Sequence, residues 1–289
     1  MHCVVCTRAR KFSALTGSGG DCYFLSVLSV LAENPHRIRK LFITETVNDY
    51  GIYAVNICKN GTWRHVIVDD FFPCSNKRLG PCFSKANGEE LWVLIMEKAW
   101  AKLHGSYERI EAGLADNVFR DLTGAPTQYF SHDDDDLWAN MLEANSQGFL
   151  MAASAGTTEA SQALLESVGL IGQHSYGLLD VRDIDTKDGP EHLVKLRNPW
   201  GDFEWKGDWS DTSSNWTPEL KAELEFTEVN DGTFWMSFAD FCHYFSRVQI
   251  CRINDDYTYV SYKAEHDKGE YALIRMSIPK DSMQYISVS

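Results

Sequence analysis

Gly17-Ser-Gly-Gly-Asp-Cys22-Tyr-Phe-Leu-Ser-Val-Leu-Ser-Val-Leu31 sets one cysteine where a glycine-rich loop meets the start of an apolar helix. Glycines let such a loop turn tightly and bring bare backbone close to a substrate. Phe24, Leu25, Val27, Leu28, Val30 and Leu31 make the helix apolar nearly all round, which predicts a buried helix whose N-terminus alone reaches a cleft. The first N–H groups of a helix lack intrahelical partners, and with the positive end of the macrodipole they favour thiolate over thiol. Cysteine is also among the most buried residue types, so Cys22 alone reads equally well as core or as nucleophile.

Partners elsewhere break the tie. A thiolate nucleophile needs an imidazole as acid and base, and a third group that holds the imidazole in one tautomer. His174 heads the run Ser175-Tyr-Gly-Leu-Leu-Asp-Val181, which reads as a core strand, and Asn198 ends a second such strand, His192-Leu-Val-Lys-Leu-Arg197. Pro199 forces Asn198 into an extended conformation and stops the strand there. Two adjacent antiparallel strands would bring the Asn198 carboxamide to the far ring nitrogen of His174. Trp200 would shield that bond from water. His174 and Asn198 lie 152 and 176 residues after Cys22, close to the separation expected of papain-like enzymes. A single histidine or an Asn before Pro is ordinarily structural, so the argument rests on the conjunction. No Gly-x-x-x-x-Gly-Lys, Gly-x-Ser-x-Gly or His-Glu-x-x-His pattern offers a rival enzyme class.

Gly20-Asp-Cys22-Tyr-Phe-Leu25, Gln173-His-Ser-Tyr176 and Arg197-Asn-Pro-Trp-Gly-Asp-Phe-Glu-Trp-Lys-Gly-Asp-Trp-Ser-Asp211 resemble, in order and spacing, the three signature blocks of the calpain family of calcium-dependent cysteine proteases. Gly51-Ile-Tyr-Ala-Val55, Lys59-Asn-Gly-Thr-Trp63, Glu97-Lys-Ala-Trp-Ala-Lys102 and Asp231-Gly-Thr-Phe-Trp-Met-Ser-Phe238 are similar as well, so the resemblance covers residues 11–289. It implies an α+β, papain-like two-lobed cysteine protease core, with a helical N-terminal lobe over 1–112, a β-rich C-terminal lobe over 113–253 and a truncated β-sandwich tail over 254–289. It implies Cys22 as nucleophile, His174 as general base and acid, and Asn198 as orienter. The family carries a glutamine six residues before the nucleophile to complete the oxyanion hole, where this chain has Thr16. Losing an oxyanion donor lowers turnover by about a hundred- to a thousandfold. Either the protease is weak, with the Cys22 N–H as remaining donor, or residues 1–15 are not the native approach to the site.

Control by lobe closure follows from a cleft between lobes, and calcium suits it because hard carboxylate and carbonyl oxygens on loops can lock two lobes in register. By resemblance the second-lobe ligands are Glu204, Asp211 and Asp231 with the Val229 carbonyl. Thr233 stands where the family has Glu. The first-lobe glutamate maps to Glu90, but its aspartate partner is Ser13 here, which leaves that site incomplete. Asp183 to Gly189 imitates an EF-hand loop, yet its glycine comes one residue late and no Glu closes it.

At 289 residues and 44% apolar composition the chain can bury a sizeable core, and a net charge of −14 disfavours nucleic acid and acidic membranes as partners. No apolar run approaches a membrane span, and the N-terminus lacks the pattern of a signal peptide, so a cytoplasmic enzyme is expected. Eight cysteines are too dilute for a disulfide scaffold, and the lone Cys3-x-x-Cys6 reads as incidental. Expected elements are the Cys22 helix, a hairpin around Asn60-Gly61, a helix over 89–103, a crossing near Glu111-Ala-Gly113, and a helix N-terminus after the acidic run 133–136. Strand-like pieces follow at 257–262, 271–278 and 285–288. Protein or peptide substrates are expected. A calmodulin-like partner subunit is not. The rival readings are a catalytically silent, calpain-like calcium- and protein-binding module, and an acyl-transfer enzyme of the papain-like superfamily.

Overall fold

The structure, a computed structural model, describes residues 20–75, 80–84, 90–156, 161–261, 269 and 284–286. The predicted features at Cys3, Cys6, Ser13 and Thr16, and most of the tail pieces, lie outside the described residues.

The nucleophile helix α1 runs Cys22–Leu31 and is followed by α2, Pro35–Leu41. Tyr23 to Leu31 are all buried, as an all-round apolar sequence requires. Strands β1 (Ile52–Lys59) and β2 (Thr62–Asp69) form an antiparallel hairpin in register from Ile52 opposite Asp69 to Lys59 opposite Thr62. Its two-residue turn, Asn60-Gly61, has φ of 51° and 72°, matching the turn that the dipeptide favours. A short ladder, β3 (Cys74–Ser75) with β4 (Gly80–Pro81), precedes α3, Trp92–His104. Helix α4, Ala115–Thr123, ends at Gly124 in the left-handed conformation. These elements share one hydrophobic core, in which Phe24, Leu28, Tyr53, Ile57, Ile95, Trp100 and Phe119 are packed together.

The rest is built on one sheet. Its members are β5 (Thr127–Ser131), β6 (Leu150–Ala155), β7 (Ser175–Thr186), β8 (Gly189–Arg197), β9 (Thr233–Ser237) and β10 (Phe245–Cys251), in the order β5-β10-β6-β7-β8-β9. Each adjacent pair is antiparallel. Asp183 to Gly189, which imitates an EF-hand in sequence, is the β7–β8 hairpin. Helices α5 (Leu137–Ser146), α6 (Gln162–Ser167), α7 (Pro218–Glu223) and α8 (Phe238–Tyr244) lie in the connections between its strands, and α5 and α8 pack on it. Asp136 is the N-cap residue of α5, so the acidic run does precede a helix start, but its carboxylate makes no capping bond.

Strand β6 shows how the sheet serves two cores. Leu150 and Ala152 belong to the core shared with α1, whereas Met151, Ala153 and Ala155 belong to a second core with Leu137, Met141 and Phe241. Alternation along the strand delivers both sets. Gly177 of β7 makes the approach of α1 possible. A Cβ there would sit 2.7 Å from Ser29 Oγ and 2.8 Å from Val30 Cγ1. A third cluster joins Trp209, Trp216, Leu220 and Leu224 of the long β8–β9 connection to Leu193 of β8 and Trp235 of β9.

Candidate active site

Cys22 is the first residue of α1 and is part-exposed, while the helix behind it is buried. Because α1 packs on β7, the start of that strand lies beside the helix N-terminus. The backbone N–H groups of Ser175, Tyr23 and Cys22 itself lie near enough to the Cys22 sulfur to lower its pKa. These donors favour thiolate. Burial outweighs them, however, and the adjacent Asp21 charge adds to it, so the thiol pKa is raised above its ordinary 9.0. The expectation that the helix N-terminus makes Cys22 acidic is therefore reversed by desolvation.

His174 immediately precedes β7 and Asn198 immediately follows β8, and pairing of these strands brings the two side chains together. His174 Nε2 lies 2.8 Å from Asn198 Oδ1. The carboxamide cannot turn over, because Asn198 Nδ2 donates to the carbonyls of Asp202 at 2.6 Å and Phe203 at 3.3 Å. Its Oδ1 accepts in addition from the Trp200 N–H at 3.1 Å. Oδ1 is thus an acceptor only, Nε2 carries the ring proton, and Nδ1 is left with a free lone pair. A neutral imidazole held in this tautomer can accept a proton at Nδ1 and return it.

The ring is enclosed. His174 is 3% and Asn198 0% exposed. Trp200 packs edge-on to the ring at 4.5 Å and Tyr176 at 5.0 Å. Burial lowers the His174 pKa from 6.5 to about 4, with the Asn198 bond opposing it. Both shifts have burial as their first cause, and both favour the uncharged forms of the pair.

The family profile of calpain family cysteine proteases matches residues 2–252. The chain belongs to the calpain family. It is 39% identical over 248 residues to the calpain-type cysteine protease DEK1 of Zea mays, covering 82% of this chain and 11% of that protein. It is 34% identical over 249 residues to calpain-8 of Mus musculus, covering 83% and 35%, and 33% identical over 258 residues to the calpain-1 catalytic subunit of Rattus norvegicus, covering 86% and 36%. The chain thus spans about a tenth to a third of the length of the curated relatives it matches.

The acidic residues that the calpain resemblance singles out fall into two places. Glu204 Oε1 accepts from the backbone N–H groups of Asp231 at 2.8 Å and Gly232 at 2.7 Å, tying the loop after Asn198 to the start of β9. The Val229 N–H donates to the Thr227 carbonyl at 3.1 Å and also faces the Asp211 carboxylate, whose pKa it lowers. Burial, then the charges of Glu204, Asp231 and Glu228, push the Asp211 pKa up to about 7. Glu204, Asp211, Asp231 and the Val229 segment therefore share one acidic neighbourhood. Among the described residues, no three such side chains converge closely enough to hold a metal ion as they stand. Glu90 lies elsewhere, before α3, with its Oε2 accepting from the Trp92 indole at 3.2 Å.

Several site contacts were not foreseen from sequence. Arg197, just before Asn198, pairs with Glu33 after α1 at 2.6 Å and donates to Thr233 Oγ1 at 3.2 Å. Thr233 thus supports a bond that ties the His174–Asn198 sheet to the nucleophile helix. The Arg197-Asn198 dipeptide was the available signal, but its partner lies 164 positions away. Among the described residues no helix is long and apolar enough to cross a membrane, and Cys22, Cys58, Cys74, Cys82, Cys242 and Cys251 are free thiols.

Proposed function

We infer that this chain is the protease core of a cysteine endopeptidase that cleaves protein substrates through a thioester acyl-enzyme. The observation that carries this reading is the 2.8 Å His174–Asn198 bond, made by a carboxamide that cannot flip, at the start of β7, whose first residue, Ser175, acts on the Cys22 thiol. The Cys22 sulfur attacks the scissile carbonyl carbon as its proton passes to His174 Nδ1. The Cys22 N–H stabilises the developing oxyanion. The C–N bond then breaks and the leaving amine takes the proton from His174. Water attacks the thioester with His174 again as base, releasing the acid and restoring the thiol. Asn198 keeps Nδ1 aimed throughout, and Trp200 excludes water from the Nε2 bond.

Calcium is part of the same reading. Glu204, Asp211, Asp231 and the Val229 carbonyl offer only hard oxygen donors, and the mutual repulsion felt by Asp211 is the mark of a site short of positive charge. A bound calcium ion would neutralise that cluster and fasten the loops on either side of Asn198, favouring a closed arrangement of two lobes. The free thiols suit a reducing, intracellular compartment.

A second reading, a binding module without turnover, is favoured by Thr16 in place of the oxyanion glutamine and by the shifts toward an uncharged pair. Hydrolysis of casein across a calcium titration, with Cys22→Ala as blank, decides between them. Calcium-dependent cleavage that vanishes in the blank supports the protease. No cleavage, together with failure of an epoxide thiol inhibitor to label Cys22 in calcium, supports the module. Thr16→Gln then tests the missing donor, with a gain of about a hundredfold or more expected in an active enzyme.

A further inference from the structure

Phe203 carries its backbone at a φ of 57°, in the left-handed region, and is 57% exposed. A bulky residue is a true outlier there, because its Cβ crowds a backbone that glycine leaves clear. The bend itself has a cause. Asn198 Nδ2 donates to the carbonyls of Asp202 and Phe203, the Gly201 N–H donates to the Asn198 carbonyl at 3.0 Å, and Glu204 is held by the N–H groups of Asp231 and Gly232. The loop is thus pinned on both sides of residue 203. Nothing in that requirement asks for an aromatic ring, and glycine would make the same turn without strain. Trp209 is also left-handed, but it is buried in the third cluster. The Phe203 ring joins no buried cluster among the described residues. It meets Trp200 edge-on, with ring centroids 6.5 Å apart and planes at 75°.

Backbone strain of this kind persists only where the surrounding structure imposes it, and it collects at ligand clamps. The ligand follows from the direction of the chemistry. His174 returns its proton to the leaving amine, so the part of the substrate that follows the scissile bond lies on the His174 side of the site. Trp200 packs on that ring at 4.5 Å and Phe203 packs on Trp200, so three rings step away from the leaving nitrogen, the last of them exposed. The 6.5 Å step from Trp200 to Phe203 equals about two residues of extended chain. We propose that Phe203 is a specificity-determining residue, which takes an apolar or aromatic side chain within the first three residues on the leaving side of the scissile bond. Such a side chain removes ring surface from water, and an edge-to-face or offset-stacked aromatic pair adds to the area term. The strain at 203 is the conformational cost of presenting a ring on this loop.

The inference rests on the protease reading, and its test lets the two fail separately. Peptides identical except for Phe, Leu or Gly at each of the three positions after the scissile bond are offered to the full chain in calcium. Mass spectrometry fixes the cut, and kcat/KM is measured for each peptide. At one of these positions the parent is expected to prefer Phe or Leu over Gly by about tenfold. In Phe203→Gly and Phe203→Ala that ratio is expected to fall to about one, and in Phe203→Tyr to persist. Phe203→Gly is expected to melt above Phe203→Ala, because glycine takes this φ freely. A merely structural role would lower kcat/KM for all peptides alike and leave the ratio in place. The same peptides, fluorescently labelled, are bound to Cys22→Ala with and without Phe203→Gly, and the ratio is expected again in the dissociation constants. A parent that shows no preference in cleavage or binding, a parent that binds no peptide, or a ratio that survives Phe203→Gly overturns the proposal. If no peptide is cut but the binding ratio is present and leaves with the ring, proteolysis fails and the assignment of Phe203 stands.

Discussion

The hydroxyls of Ser26 and Ser175 lie 2.7 Å apart, joining the second turn of the nucleophile helix to the residue after His174. Ser26 Oγ also donates to the Tyr23 carbonyl at 3.1 Å, so its single proton is committed there and Ser175 is the donor to Ser26. Both serines are buried. This short chain of hydroxyls helps fix the distance over which the Cys22 proton must travel to reach His174.

The direction of that chain makes its two ends unequal. Ser26→Ala leaves the buried Ser175 hydroxyl without an acceptor and is expected to destabilise the protein by about 1–3 kcal/mol. Ser175→Ala leaves Ser26 with its own bond intact and is expected to cost about 1 kcal/mol or less. Urea unfolding of both single variants and the double variant measures this. Equal costs for the two singles would mean that the donor assignment is wrong.

Gly177 is the point of closest approach between α1 and β7. A methyl group there meets Ser29 Oγ and Val30 Cγ1 at well under contact distance, so Gly177→Ala is expected to lose about 1–3 kcal/mol through overpacking. Helix α1 would move off the strand, so kcat/KM against a fluorogenic peptide is expected to fall with stability. Adding Val30→Ala opens room beside the new methyl and is expected to restore part of both. If the second substitution makes stability worse by its usual cavity cost alone, the contact is not what forbids a side chain at 177.

His174 couples folding to pH through burial. In the folded chain it stays neutral down to about 4, whereas in the unfolded chain it takes a proton below about 6.5. Between those values the unfolded state binds more protons, so stability falls as pH falls. The stabilisation by neutral His174 is fully present above pH 6.5 and is lost as pH descends through 4. Between pH 7.5 and 4.5 this amounts to roughly 2.5 kcal/mol. Urea midpoints at the two pH values, compared between the parent and His174→Gln, isolate this contribution. The parent is expected to lose that much more than the variant. Equal losses would place the His174 ring in solvent.

The residues that sequence made legible all sit at the ends of elements, where local rules act. A glycine loop before an apolar helix marks Cys22, a proline marks the stop after Asn198, and Asn60-Gly61 closes a hairpin. Pairing of β7 with β8 then puts His174 against Asn198, as two neighbouring strands should. Electrostatics was legible only in part, because a helix N-terminus is local whereas burial belongs to the tertiary structure. Cys22 is less acidic than its helix position suggests because burial in the surrounding core, with the charge of Asp21, acts on it. The Ser26–Ser175 and Glu33–Arg197 contacts join positions 149 and 164 apart, and no periodicity announces them.

Calcium gives the last prediction, and it concerns Asp211. Its carboxylate is half-buried among Glu204, Asp231 and Glu228, so in chelator Asp211→Asn is expected to leave stability unchanged or raised by relieving repulsion. With calcium the order should invert. An ion that binds the folded state alone adds about 2.7 kcal/mol at a hundredfold excess over its dissociation constant. The parent is therefore expected to melt several degrees higher in calcium than in chelator, and Asp211→Asn to gain little. Magnesium, which holds its water more tightly and demands a regular octahedron, is expected to reproduce little of the effect in a set of carboxylates and one carbonyl. Thermal melts of both proteins in chelator, calcium and magnesium test this in one series. A calcium gain of the same size in Asp211→Asn would move the ion away from these loops, and no gain in either protein would remove calcium from the account of this core.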